Sequence, residues 1–282
     1  MIIYNVRIVP VTSETIENGY IEISGDKILS LGSMDTLGKI PEDGFDAAGL
    51  TAYPAFVDAH CHIGMFADGL GFEGDDGNEE TDPATPHLRA IDAVNPMDFC
   101  FEEAAAGGVG TVITGMGSAN PVGGTFLAMK TYGSKRADHR IVKYPLAMKL
   151  ALGENPKSVY HDKNEAPTTR MATAAVIREQ LLTAKRYMED CAEYERTKGT
   201  DDETSRPDFD MKCEALIPLL RREIKAHFHC HRADDIFTAI RLSEEFGLDY
   251  VLIHATEGHL IADELPSGTQ IVAGAIFGVR CK

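Results

Sequence analysis

The chain has 282 residues, and its 44 acidic and 27 basic side chains give it a net charge of −17. That length fits one large domain or two smaller ones, and a hydrophobic content of 44% supplies enough apolar side chains for a core. The acidic balance argues against a nucleic-acid-binding protein, which needs a basic surface, and no apolar run reaches the roughly 18 residues of a membrane-spanning helix.

Residues 1–53 have the pattern of a small β module. Runs of β-branched residues predict three strands: Val6–Val9, Gly19–Ile23 and Lys27–Leu31. The tripeptide Ser24-Gly25-Asp26 predicts a tight turn between the last two strands. A stretch rich in Gly, Asp and Pro, residues 38–49, then leads to a different pattern. We therefore predict a first domain over residues 1–53 and a second over residues 54–282.

The second region alternates short apolar runs with amphipathic stretches, which is the pattern of βα units around a parallel sheet. Seven strands are predicted: Tyr53–Ala59, Val109–Thr114, Phe126–Thr131, Leu146–Leu150, Ile224–His229, Tyr250–His254 and Gln270–Ala273. Four helices are predicted between them: Asn95 to Gly107, Thr168–Lys198, Asp234–Phe246 and Glu257–Leu265. Two acidic stretches broken by Gly or Pro, Glu73–Asp82 and Thr200–Asp210, predict surface loops, and the first could also cover a site as a lid.

The clearest candidate site is the strand end Asp58-Ala59-His60-Cys61-His62. Residues two apart on a strand share one face, so Asp58, His60 and His62 point to the same side. Two imidazoles at that spacing can bind one metal ion such as zinc, and Asp58 could orient a ring by accepting its N–H. The alternative is a pair of ordinary histidines at a strand end.

Two further predicted strands also end in histidine. One carries His227, His229 and His231 at alternating positions, and the other ends at His254. A single such histidine can be structural. Three strands that end in histidine in a βα-alternating chain indicate a shared site, because active sites of such barrels form at the carboxyl ends of the strands.

Lys149 is a lone charge inside the apolar run Leu146–Leu150. An unpaired ammonium there would be costly, so it could form a salt bridge with a barrel acid or contact the substrate. It could also lose its proton, add carbon dioxide and bridge two metals as a carbamate.

The six cysteines are scattered, without a C-x-x-C pair, and the first residues lack the basic start of a signal peptide. Both features predict reduced thiols and a cytoplasmic location.

Taken together, these motifs resemble the metal-dependent amidohydrolase superfamily, and within it the imidazolonepropionase-like branch. The matching segments span nearly the whole chain: N-G-Y-I-E-I-S-G-D-K-I, H-C-H, M-K-L-A-L-G-E-N-P, H-C-H-R-A-D-D-I and I-H-A-T-E-G-H. The resemblance implies an α/β fold, a (β/α)8 TIM-type barrel with a small β-sandwich assembled from both ends of the chain.

The resemblance also implies a site with one or two divalent metal ions, with zinc the expected ion. His60 and His62 would bind the more buried ion, Lys149 would bridge as an amine or carbamate, and His229 and His254 would bind the second ion. His229 is preferred over His227 and His231 because it begins the H-x-H-R-A-D-D-I stretch, and His231 remains an alternative. His231 and His259 are the expected substrate-binding groups.

Similar enzymes hydrolyse amide-type C–N bonds in cyclic amides, N-acyl amino acids or dipeptides by means of a metal-activated hydroxide. A carboxylate must then transfer the proton to the leaving nitrogen, and in similar enzymes it is an Asp at the end of the eighth strand. The sequence reaches Lys282 before such a strand. We therefore expect a C-terminally truncated barrel whose catalytic base is not assigned.

Two alternatives stay open: a related deaminase, and a non-catalytic metal-binding or scaffold protein. A small-molecule substrate is the expected partner, and neither nucleic acid nor membrane is expected to bind. Because an incomplete barrel exposes the edges of its outer strands, association into a homo-oligomer is also expected.

Overall fold

The computed structural model describes residues 1–40, 42–67 and 69–274. The chain divides into two compact units, Met1–Phe56 and Val57–Lys282. The predicted truncation concerns the end of the chain, and residues 275–282 lie outside the described part. Four cysteines in the described part, Cys61, Cys191, Cys213 and Cys230, are free thiols. No helix in the described part is both long and apolar enough to cross a lipid bilayer.

The first unit is built on one five-stranded sheet. Its strands are β1 (Ile2–Ile8), β2 (Ile16–Ser24), β3 (Lys27–Ser33), β4 (Phe45–Asp46) and β5 (Thr51–Ala52). β1 pairs antiparallel with β2 and parallel with both β4 and β5, while β2 and β3 form a hairpin. The hairpin turns at Gly25, whose φ of +59° suits glycine. The three predicted strands are present, and the β-sandwich stays a prediction.

The second unit contains a seven-stranded sheet with helices outside it. The strands are β6 (Phe56–Cys61), β7 (Val109–Thr114), β8 (Val122–Lys130), β9 (Ile141–Ala151), β10 (Lys225–Cys230), β11 (Tyr250–His254) and β12 (Ile271–Ala273). The helices are α1 (Phe99–Ala106), α2 (Glu154–Asp162), α3 (Arg170–Thr197), α4 (Met211–Leu220) and α5 (Ala233–Phe246). The sheet follows the order β12-β11-β10-β9-β8-β7-β6.

The sheet is curled like a barrel wall. Four strands separate β6 from β11 in the sheet order, yet the ring centroids of His60 on β6 and His254 on β11 are 5.6 Å apart. Side chains on the inner face of the sheet therefore meet across it.

The expectation of an all-parallel barrel is wrong at β8, which runs antiparallel to both β7 and β9. The connections on either side of β8, residues 115–121 and 131–140, hold no crossover helix. A parallel partner needs a crossover of a dozen or more residues, usually helical, so these short links return the chain in the opposite direction. The fold is thus a mixed α/β sheet.

The predicted helices have different outcomes. α3 and α5 are confirmed, and α5 ends at Gly247, whose φ is +65°. α1 begins later than predicted, because the side chain of Asp98 caps it by accepting from the backbone N–H of Cys100. The predicted helix Glu257–Leu265 is wrong, since only a short 3-10 turn forms there. The polar α2 and the proline-containing α4 were not predicted, and both acidic stretches are loops.

Candidate metal centre

Six histidines gather at the curled sheet, and we call them the histidine cluster: His60, His62, His227, His229, His231 and His254. Alternation along β6 and β10 explains most of the grouping, because residues two apart point to the same face. The other face of β10 carries Phe228 and Cys230, which pack into the core against the outer helices. The predicted H-x-H and H-x-H-x-H patterns therefore do place their imidazoles together.

The closest group combines the ends of β10 and β11. The ring centroid of His229 is 4.7 Å from that of His231 and 4.8 Å from that of His254. One ring nitrogen from each of these three histidines lies within 4.8 Å of the others, so the group could hold a metal ion. His60 joins from β6, with its ring 5.1 Å from His62 and 5.6 Å from His254.

His254 reaches this group because of an unusual backbone. Strand alternation would place its side chain on the same face as Leu252, which packs against the helices. Instead, φ is +70° at His254 and +43° at Ala255, in the left-handed region that side chains normally avoid. Such a conformation costs on the order of 1–3 kcal/mol and persists mainly at functional sites. Here it turns the imidazole toward His229.

Several buried polar atoms at the site have no hydrogen-bond partner in the described part of the chain. They are both ring nitrogens of His60 and of His229, Nδ1 of His227 and Nζ of Lys149. Buried polar atoms without partners are rare and costly. Imidazole nitrogens are common ligands of zinc and similar divalent ions, so a metal would satisfy the atoms that the protein leaves unpaired. The residues present therefore fit a metal centre.

The electrostatics keep the imidazoles in the form that binds metal. Burial, together with nearby Lys149, lowers the pKa of His60 far below its usual range and that of His62 to about 4. Burial likewise lowers the pKa of His229 well below the ordinary value. Burial lowers the pKa of Lys149 to about 7. At neutral pH the rings of His60, His62 and His229 are thus uncharged.

Two rings have their tautomers set by backbone carbonyls. His62 donates its Nδ1–H to the carbonyl of Gly115 at 2.8 Å, and His254 makes the corresponding bond to Gly274. In each ring the lone pair then lies on Nε2, which is the arrangement found in metal-ligating histidines. Among the described residues Asp58 orients neither predicted ring, because both ring nitrogens of His60 lack a partner and Nδ1 of His62 bonds to Gly115; the Asp58 carboxylate instead accepts from the backbone N–H of His60 at 3.0 Å.

The two predicted substrate-binding histidines lie in different surroundings. His231 belongs to the three-histidine group, and its Nδ1 is 2.7 Å from the hydroxyl of Thr256. His259 is exposed and donates from Nδ1 to the carbonyl of Thr256 at 3.0 Å. Thr256 thus holds both rings.

Lys149 lies on the inner face of β9 and is fully buried. Its Nζ is 5.6 Å from the ring centroid of Phe126, on whose face His60 also stacks at 5.3 Å. Phe126 was not foreseen as a site residue. The adjacent glycines Gly123 and Gly124 on the same strand could have indicated a site here from the sequence, because glycine inside a strand often marks a close approach of another group to the backbone. A Cβ at Gly123 would lie 3.1 Å from the Lys149 side chain.

A cavity of about 950 Å³, large enough for a small organic ligand, lies in the second unit. Met65 and Met116, which are close in sequence to His62 and Gly115, form part of its wall. Residues of the acidic stretch Glu73–Asp82, including the carboxylates of Asp75 and Asp76, form another part of the wall, and a role of this loop as a lid over the site stays a prediction.

Comparison with solved structures shows which family the chain belongs to. An amidohydrolase from Thermotoga maritima MSB8 superposes on 100% of this chain and 71% of its own, with a TM-score of 0.89 and 39% sequence identity. The chain belongs to the amidohydrolase superfamily. Among curated proteins, amidohydrolase tasK of Hapsidospora irregularis is 31% identical over 247 residues. That match covers 80% of this chain but 25% of tasK, so the chain spans about a quarter of the length of that relative.

Two other comparisons add little to this family assignment. A prolidase complexed with N-methylphosphonate-L-proline aligns with a TM-score of 0.37 and 14% identity, which is too weak to indicate a shared fold. No family model matches the chain.

Proposed function

We propose that this amidohydrolase is a metal-dependent enzyme of the imidazolonepropionase-like branch that hydrolyses an amide-type C–N bond in a small molecule. The observation that carries the proposal is the set of unpartnered ring nitrogens on His60 and His229 inside a curled sheet. Structural histidines in a core normally have hydrogen-bond partners, whereas metal ligands need their lone pairs.

The residues that would hold one or two zinc ions are those implied by the resemblance: His60, His62, Lys149, His229 and His254. When bound, a divalent metal would lower the pKa of water so that hydroxide is available as a nucleophile near neutral pH, and it would polarise a carbonyl oxygen. Lys149 suits a bridging role as a carbamate, since its buried amine lacks a partner and carbamylation would give it two oxygen ligands.

Other residues would prepare the site for the reaction. The carbonyl of Gly115 holds His62 in one tautomer, which keeps its Nε2 available as a ligand. The ring of Phe126 covers the buried side of His60 and excludes water there. His231 and His259, both hydrogen-bonded to Thr256, would contact the substrate, and His231 would donate from Nε2 to its carbonyl or carboxylate while its Nδ1 accepts from the Thr256 hydroxyl. The carboxylate that protonates the leaving nitrogen remains unassigned.

The site is tested by metal content. Purified chain is loaded with zinc, dialysed and analysed by plasma emission spectrometry, and the double variant His60→Ala/His62→Ala is treated in parallel. We expect the double variant to lose most of the zinc. A matched double variant, His139→Ala/His161→Ala, removes two exposed histidines and should keep it. Equal zinc in all three proteins would refute the site.

The reaction is tested with a panel of cyclic amides, N-acyl amino acids and dipeptides. Appearance of a new amine and carboxylate that depends on zinc supports amide hydrolysis, whereas release of ammonia identifies a deaminase. Zinc binding without any turnover would instead favour a non-catalytic metal-binding protein.

A further inference from the structure

His227 is a buried imidazole for which the proposed metal site has no role. It lies on β10, two residues before His229, and 5% of its surface is exposed. Its Nδ1 has no hydrogen-bond partner among the residues that the structure describes. Its ring centroid is 6.2 Å from that of His60 and 5.9 Å from that of Phe126.

His227 and Lys149 lie side by side on the inner face of the sheet. The parallel register of β9 and β10 pairs these two residues directly, and paired residues in a sheet point to the same face. Lys149 is fully buried, and its Nζ also has no partner. The ring of Phe126 lies near both side chains, and Gly123 packs so closely against Lys149 that an added Cβ would lie 3.1 Å from its side chain. Two unsatisfied polar groups thus share one enclosed space.

The position of His227 argues against its being a metal ligand. Unlike His229 on the same strand, it lies outside the group of three histidines whose ring nitrogens are within 4.8 Å of one another, so it does not share an ion with them. Two residues along a strand correspond to about 6.6 Å, so His227 lies about that much deeper in the sheet than His229.

An acceptor attached to Lys149 would satisfy both groups. Carbon dioxide adds to the neutral amine, an N–C bond forms, and the nitrogen releases one proton to solvent. The product is a carbamate with one negative charge and two acceptor oxygens. An imidazole N–H next to it can donate to one of these oxygens, which is a hydrogen bond to a charged group.

We propose that His227 is a positioning residue that donates a hydrogen bond to the carbamate of Lys149 and thereby raises the fraction of Lys149 that is carbamylated. This inference rests on the proposed metal-dependent function, in which Lys149 serves as a carbamate ligand. It adds a second residue that controls whether that ligand forms.

The test measures the carbamate itself. Full-length protein is incubated with zinc and ¹³C-bicarbonate, and the carbamate signal is quantified by ¹³C NMR. Lys149→Gln identifies the signal by abolishing it. In His227→Leu, which has no donor, the carbamylated fraction at subsaturating bicarbonate should fall about tenfold, the change expected when one hydrogen bond to a charged group is lost. His227→Gln keeps an N–H donor and should stay within about threefold of the wild type.

Controls separate positioning from folding and from metal binding. Each variant is checked by circular dichroism and for zinc content, and His161→Leu removes an exposed histidine of α2 and should leave the carbamate unchanged. An unchanged carbamate signal in His227→Leu refutes the inference. Loss of zinc with the carbamate retained also refutes it, because His227 would then be a ligand.

The wild type distinguishes the inference from the proposed function. If it binds zinc and hydrolyses a substrate without any carbamate signal, the inference about His227 fails and metal-dependent hydrolysis stands. If it binds no zinc at the histidine cluster, the proposed function fails and the inference fails with it.

Discussion

Replacing Lys149 by methionine should stabilise the metal-free protein and weaken its metal site. The side chain is fully buried near the ring of Phe126, and its Nζ has no hydrogen-bond partner within residues 1–40, 42–67 and 69–274. Methionine has a similar length and can fill the same space without a charge. The substitution therefore removes the cost of burying an amine, and it also removes the atom that could become a carbamate ligand.

The magnitude follows from the pKa of Lys149, which burial lowers from the ordinary 10.5 to about 7. Each pKa unit corresponds to 1.36 kcal/mol, so below pH 7 the charged lysine costs the folded state about 5 kcal/mol. As the pH rises from 7 to 10.5 the folded state loses its proton before the unfolded state does, and this cost disappears. The gain from Lys149→Met should therefore be about 5 kcal/mol at pH 6.5 and only about 1 kcal/mol at pH 9.5.

The assay is urea unfolding of metal-free protein in EDTA and carbon-dioxide-free buffer at those two pH values. Lys143→Met is the matched control, because Lys143 is exposed on the same strand and its replacement should change the free energy of unfolding by less than about 0.5 kcal/mol. Zinc affinity of Lys149→Met should fall at least about tenfold. A variant less stable than the wild type at pH 6.5, or a gain that does not depend on pH, would refute this account of Lys149.

Three other predictions concern the site and its support. Zinc at a hundredfold excess over its dissociation constant should raise the free energy of unfolding by about 2.7 kcal/mol, and an unchanged melting temperature in calorimetry would contradict a specific site. Metal-free protein should lose stability as the pH falls from 6.5 toward 4, because the pKa values of His62 and His227 are lowered to about 4 and the unfolded chain takes up protons first. Each of the two histidines contributes at most about 3 kcal/mol, and urea titrations that show flat stability over this range would speak against buried neutral rings. Gly153→Ala should destabilise the protein by about 2 kcal/mol or more, because φ there is +84° and a Cβ would lie 2.6 Å from the Asp235 carboxylate. The matched control Gly38→Ala, whose Cβ would have no atom within 4 Å, should leave the free energy of unfolding nearly unchanged in the same urea assay.

Local patterns in the sequence determined much of this architecture. The long helix α3 and the helix α5 follow from their apolar periodicity and from the glycine that ends α5. The placement of His60 with His62, and of His227 with His229 and His231, follows from strand alternation alone. These features depend on residues that are neighbours in the chain, so no knowledge of the fold is needed to predict them.

Only the tertiary structure decided how these pieces combine. The direction of β8 depends on the length of its connecting loops and on its partners, and an apolar run does not encode it. His254 joins the cluster through a left-handed backbone at the end of β11, against the alternation that its sequence predicts. The curl of the sheet brings the ring of His60 on β6 to within 5.6 Å of the ring of His254 on β11. It also buries Nζ of Lys149 and Nδ1 of His227, which have no hydrogen-bond partner among the described residues. These properties arise from contacts between residues far apart in the sequence, because curvature and burial belong to the whole sheet and to no single strand.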